Sequence, residues 1–167
     1  MKKVSPATVA KRIIALKEEL ADLERYEKEA SSFTCTVGED REKLRPSYDY
    51  EETQKRYKEI TAEIRKLRHA MNNFNISTVV PGFDMTVDQM LVYLPQLRDI
   101  KNKLSDMKKA PISGRSCTNY KGVNEYTYTN YSVQKVIEDY RVVADEYSKA
   151  HTALDYINAT GEIEVDW

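Results

Sequence analysis

Apolar residues recur at alternating intervals of three and four through four stretches of this chain, and that spacing constrains its fold more than any motif does. Val9, Ile13, Leu16, Leu20 and Leu23 form the first set, and Tyr57, Ile60, Ile64, Leu67 and Met71 the second. Leu94, Leu97 and Leu104 sketch a third. Val136, Tyr140, Val143, Tyr147, Ala150, Leu154 and Ile157 form the fourth. On a helix this spacing leaves one narrow apolar stripe, a seam that another helix must cover. The pattern predicts a mainly α protein: four long antiparallel helices with coiled-coil-like seams, and short β-strands or a hairpin in the connections. On the first helix only about two positions in seven are strongly apolar, a seam and not the broader face of a globular-core helix. Self-association is therefore expected, with Ile13, Leu16, Leu20, Leu23, Tyr140, Tyr147 and Leu154 as candidate oligomer contacts.

Local signals place the elements. Ser5 caps the first helix and Pro6 at its first position gives up no needed N–H, so the helix runs to about Ala30. The segment 31–37 is β-branched and aromatic with alternating polarity and predicts a short strand. A loop follows to Ser47, with Pro46 keeping Arg45 out of the helical region. The second helix is expected from Asp49 to Met71, stopped by Asn72-Asn73-Phe74-Asn75. Ile76 to Val80 again reads as extended, and Pro81-Gly82 turns the chain. Thr86-Val87-Asp88-Gln89 fits a capping box, flanked by Met85 and Met90 as a hydrophobic staple, and opens the third helix. Pro95 is expected to kink or split that helix, which ends by Lys109-Ala110-Pro111. Residues 125–131 alternate aromatic and β-branched side chains and predict a strand, half of a hairpin beginning near Arg115. Ser132 caps the fourth helix, which continues to about Ile157, and the alternating tail 162–167 is expected to join a sheet edge. No linker or repeat marks an internal boundary, so residues 1–167 read as one domain.

No apolar run approaches the ~18–20 residues that cross a bilayer, and the basic N-terminus leads into an amphipathic helix, not a signal core. The chain reads as cytosolic, so the sequons at Asn75, Asn130 and Asn158 are chance matches and Cys35 and Cys117 free thiols. Net charge is −1, which gives no bulk attraction to nucleic acid or membrane. Charge is nonetheless segregated. From Lys101 to Lys121 six bases accompany one acid, Asp106, whereas Glu138 to Asp166 holds eight acids against Arg141 and Lys149. The two segments are expected to neutralise each other.

Chemistry-bearing constellations are scarce. The two histidines, His69 and His151, stand far from any Cys or Glu at ligand spacing, so no metal site and no cofactor are expected. Neither cysteine has a nucleophile signature, no Gly-rich phosphate loop is present, and no small-molecule ligand is evident. The chain reads as no enzyme. Tyrosine is the compositional oddity, with 12 copies. Tyr120, Tyr126 and Tyr128 cluster with Lys108, Lys109, Arg115 and Lys121, so the 108–131 segment is a candidate single-strand nucleic-acid surface. Aromatic rings there would stack on bases while the cations hold phosphates. The alternative is a strand whose tyrosines simply pack one face. A membrane role finds no support in helices whose polar faces are mixed in sign or acidic.

The order of several signposts resembles the septicolysin-like family of small helical bacterial proteins, a domain of unknown function. They are Thr36-Val37-Gly38-Glu39, Met71-Asn72-Asn73-Phe74-Asn75, Gly82-Phe83-Asp84-Met85-Thr86, Arg98-Asp99, and Tyr156-Ile157-Asn158-Ala159-Thr160 before an acidic tail. Together they span nearly the whole chain, with Pro95 and Met71 departing from the pattern. The resemblance implies a mostly helical oligomer with short β elements and carries over no catalytic residue. The family name suggests a cytolysin, and no residue here independently points to lysis. The first reading of function is thus a non-enzymatic homo-oligomeric scaffold or protein-interaction protein, with nucleic-acid binding and membrane activity as alternatives.

Overall fold

A computed structural model describes residues 2–110, 113–115 and 126–166. The protein is mainly α. In chain order its elements are β1 (Lys2–Val4), α1 (Pro6–Ala30), α2 (Arg41–Leu44), α3 (Tyr50–Ser77), α4 (Val87–Met107), β2 (Ser113–Arg115), β3 (Tyr126–Tyr128), α5 (Val133–Thr160) and β4 (Ile163–Val165). They form two compact units, Met1–Ser77 with Ile157–Trp167, and Thr78–Tyr156.

The first unit is an antiparallel helix pair closed by a small sheet. Ser5 caps α1 as expected, its Oγ accepting from the N–H of Thr8 at 3.3 Å. Arg12 donates to Glu63 at 2.8 Å and Arg56 Nε to Glu19 at 2.8 Å. As one number rises the other falls, so α1 and α3 run in opposite directions. Between them Val9, Leu16, Ile60, Leu67, Ile163 and Val165 form a buried cluster. Val9 and Leu16, like Ile60 and Leu67, lie seven residues apart, the interval at which a helix returns to the same seam. Ile13, Leu20, Leu23, Ile64, Met71 and Phe74 pack around it, half-buried.

Two expectations fail in this unit. The segment 31–37 forms no strand and pairs with no other strand; Thr34 to Val37 are exposed, so alternation there buries nothing. Instead the only regular structure between α1 and α3 is the one-turn α2, capped by Asp40. The asparagine run does not stop the second helix either. Phe74 packs against the core, and that burial carries α3 to Ser77 against the local stop signal, as tertiary packing commonly overrides propensity.

The tail behaves as expected and its partner is the N-terminus. β4 pairs antiparallel with β1, with Lys2 opposite Val165, Lys3 opposite Glu164 and Val4 opposite Ile163. Alternation then works: Ile163 and Val165 are buried in the cluster while Glu164 is exposed. Lys3 Nζ reaches Glu162 at 2.9 Å across the open face.

In the second unit the extended reading of 76–80 reduces to one isolated bridge, Val79 to Thr86. Val80 N–H donates to Met85 O and Val87 N–H to Thr78 O, both at 2.9 Å, around a turn in which Gly82 takes φ of 79°. Such a φ is open to glycine at little cost. The capping box forms in full: Thr86 Oγ1 accepts from Gln89 N–H, and the Gln89 side chain accepts from Thr86 N–H. Pro95 lies inside α4 and does not split it. The hairpin is present, β2 pairing antiparallel with β3, and Ser132 Oγ caps α5 by accepting from Lys135 N–H at 3.3 Å. Val80, Val87, Met90, Leu97, Val136, Ala150 and Leu154 are buried.

Candidate functional site

The candidate oligomer residues on α1 lie inside the chain. Leu16 is fully buried, and Ile13, Leu20 and Leu23 pack half-buried against the same cluster. The seam of α1 is covered by α3, so what reads as an open stripe in the sequence is closed within one protomer. On α5, Leu154 is buried while Tyr140 and Tyr147 are half-buried.

Those two tyrosines have partners on α4 and at its C-cap. Lys101 Nζ sits 4.1 Å from the Tyr147 ring centroid, and Lys108 Nζ sits 3.5 Å from the Tyr140 centroid. The lysines are seven residues apart and so are the tyrosines, in the opposite sense. Each ammonium faces a ring quadrupole, an attraction of about 0.5–1 kcal/mol at sites of this exposure. Tyr93 adds a third link by donating to Glu146, and that hydrogen bond raises the Tyr93 pKa, with burial adding to it. At the far end Tyr131 OH donates to Met107 O at 2.9 Å. The expected neutralisation between the basic and acidic segments takes another form. Among the described residues no ion pair joins α4 to α5; Lys109, just past α4, faces Asp106, and Lys135 and Lys149 face Asp139 and Asp145 within α5.

Of the candidate nucleic-acid residues, Tyr126 and Tyr128 stand two apart on β3, both exposed, with ring centroids 6.4 Å apart. Lys109 is exposed and Lys108 is committed to Tyr140. The backbone of Arg115 lies in β2; Tyr120 and Lys121 lie outside the described residues. His69 meets Asn73 at 3.1 Å and His151 meets Asp155 at 2.9 Å. Among the described residues no group of three His, Cys, Asp or Glu is placed to hold a metal ion, and no helix is long and apolar enough to cross a membrane. Cys35 is free and exposed; Cys117 lies outside the described residues.

Sequence reasoning passed over a second cluster, at the end of the α1–α3 connection. Tyr26 OH donates to Ser47 O, Tyr48 OH donates to Glu27 Oε1 at 2.7 Å, and Gln54 Nε2 donates to that same oxygen at 2.7 Å. The Tyr26 and Tyr48 rings lie 6.1 Å apart. The hydrogen bond to the Glu27 carboxylate, helped by desolvation, pushes the Tyr48 pKa up to about 12. This clamping of the loop has no local sequence signal, because the acceptors are a backbone carbonyl and a carboxylate each 21 residues away in sequence.

No family model and no curated protein matches the chain. Its fold is similar to that of a functionally unknown conserved protein from Corynebacterium diphtheriae, known from a crystal structure. The match has a TM-score of 0.62 at 15% identity and covers 98% of this chain and 100% of that one. At that identity the likeness concerns the fold alone.

Proposed function

We propose that this chain is a non-enzymatic helical scaffold that self-associates in the cytosol. The observation that carries the reading is on α4. Leu91 and Val92 are exposed at 47% and 59%, with Pro95 exposed one turn further on, whereas Met90 and Leu97 of the same helix are buried. Single exposed aliphatic residues are ordinary, but Leu91, Val92 and Pro95 share one side of the helix, Pro95 three and four residues on from the other two, and make a patch that favours a partner over water. A second copy of the chain is the occupant the reading commits to, because the α1 seam is already covered from within. Replacing Leu91 and Val92 by glutamate puts charge into that contact without touching the buried face. The paired variant is expected to sediment as a monomer with a melting temperature near that of the parent. An assembly of unchanged mass would count against the reading.

A second reading draws on Tyr126 and Tyr128, whose exposed neighbouring rings suit stacking on unpaired bases. Each stacked base is worth about 1–3 kcal/mol. Binding to single strands should then weaken with salt and fall at least tenfold on replacing both tyrosines by alanine, a loss of about 1.4 kcal/mol or more. No binding at low salt would end it. Lytic activity rests on the septicolysin-like resemblance alone, and dye release from liposomes decides it.

A further inference from the structure

The connection from α1 to α3 occupies residues 31–49, where packed antiparallel helices usually need about 2–8. Long connections in compact units are commonly functional, and this one is built and not merely slack. Its C-terminal end is clamped by Tyr26 and Tyr48. Its middle turns at Gly38, with φ of 102°, and is held there by the Thr36 N–H donating to Glu39 Oε2 at 2.7 Å. That contact keeps the Glu39 pKa below its ordinary value. The segment borders a half-open hollow of ≈ 560 Å³ against the end of α1, within the range of about 300–1,000 Å³ typical of small-molecule sites.

The wall of the hollow has one sign. Arg41 and Arg45 line it, with Ser31 and Ser32 beside them and Phe33 and Tyr48 as half-buried aromatic surfaces. Among the described residues no carboxylate lines it. Arg45 is oriented by Glu42 at 3.1 Å, while Arg41 has no carboxylate partner among the described residues. Two arginines and two serines line the same space, and a guanidinium matches a planar or tetrahedral oxyanion through paired hydrogen bonds. We propose that this hollow binds a small aromatic molecule carrying an oxyanion, a phosphate or a carboxylate. Arg41 and Arg45 hold the charged group, and Phe33 and Tyr48 take the flat apolar body. The hollow belongs to the first unit, and the proposal stands whether or not the chain self-associates.

Cys35 lines the same hollow and supplies the readout. With Cys117 replaced by serine, the alkylation rate of Cys35 by a neutral maleimide is measured at fixed pH and ionic strength, with phenyl phosphate or benzoate added. Occupancy of about two-thirds slows the reaction about threefold. Slowing by phenyl phosphate assigns a phosphate ligand, and slowing by benzoate alone a carboxylate. In R41Q/R45Q, whose two sites are exposed and whose melting temperature is expected to hold, the slowing disappears. No slowing by either compound at millimolar concentration overturns the proposal, and so does equal slowing in R41Q/R45Q.

Discussion

Leu16→Ala is expected to destabilise the protein by about 2–5 kcal/mol and to lower the melting temperature by roughly 5–15 °C. Leu16 is fully buried at the middle of the α1 seam, in one cluster with Val9, Ile60 and Leu67. Truncating it removes apolar contacts and leaves a hole that two long helices, tied by Arg12–Glu63 and Arg56–Glu19, cannot close by sliding. Ile14, two residues away and exposed at 56%, is the control: its alanine variant should change stability by less than about 0.5 kcal/mol. Thermal melts followed by circular dichroism compare the two. Equal melting temperatures for both variants would mean that the seam is not closed inside the protomer.

The second large effect is expected at Gly161. A Cβ added there would lie 2.5 Å from Phe74 Cζ and 2.7 Å from the carbonyl oxygen of Ile157. The carbonyl cannot retreat freely, since it accepts the Gly161 N–H at 2.8 Å. Gly161 is required for space and not for an unusual backbone angle, as its φ is not positive. Gly161→Ala should therefore cost about 1–3 kcal/mol, the range for overpacking. Shortening Phe74 to leucine removes the ring edge from that contact, so the same change should cost less in an F74L background. A double-mutant cycle isolates this coupling. Equal costs in the two backgrounds would refute the close packing of β4's approach against α3.

What was legible in the sequence follows a physical division. Features set by neighbouring residues were readable: the Ser5, Thr86 and Ser132 caps, the end of α1 at Ala30, the hairpin and the alternating tail. Features set by contacts distant in sequence were not. The asparagine run looked like a helix stop because the burial of Phe74 is invisible locally. The stretch 31–37 looked like a strand because its alternation says nothing about whether an edge exists to pair with. β1 went unread because three residues carry no period of their own, and its partner lies at the opposite end of the chain. The seam residues themselves were readable, but what covers Leu16 was not, since a narrow stripe looks the same whether the covering helix comes from this chain or from another. Likewise Lys108 reads as a free cation until the Tyr140 ring is found beneath it. The hollow between residues 30 and 48 had no sequence signature, because Arg41 and Arg45 sit in what reads as an ordinary charged loop.

We propose that the exposed aliphatic patch on α4 is met by a second copy of the chain. Light scattering across a size-exclusion peak, recorded over a range of loading concentrations, tests it most directly. A mass that rises above the 19.4 kDa of one chain and grows with concentration is the predicted result. A constant 19.4 kDa at every concentration would contradict it.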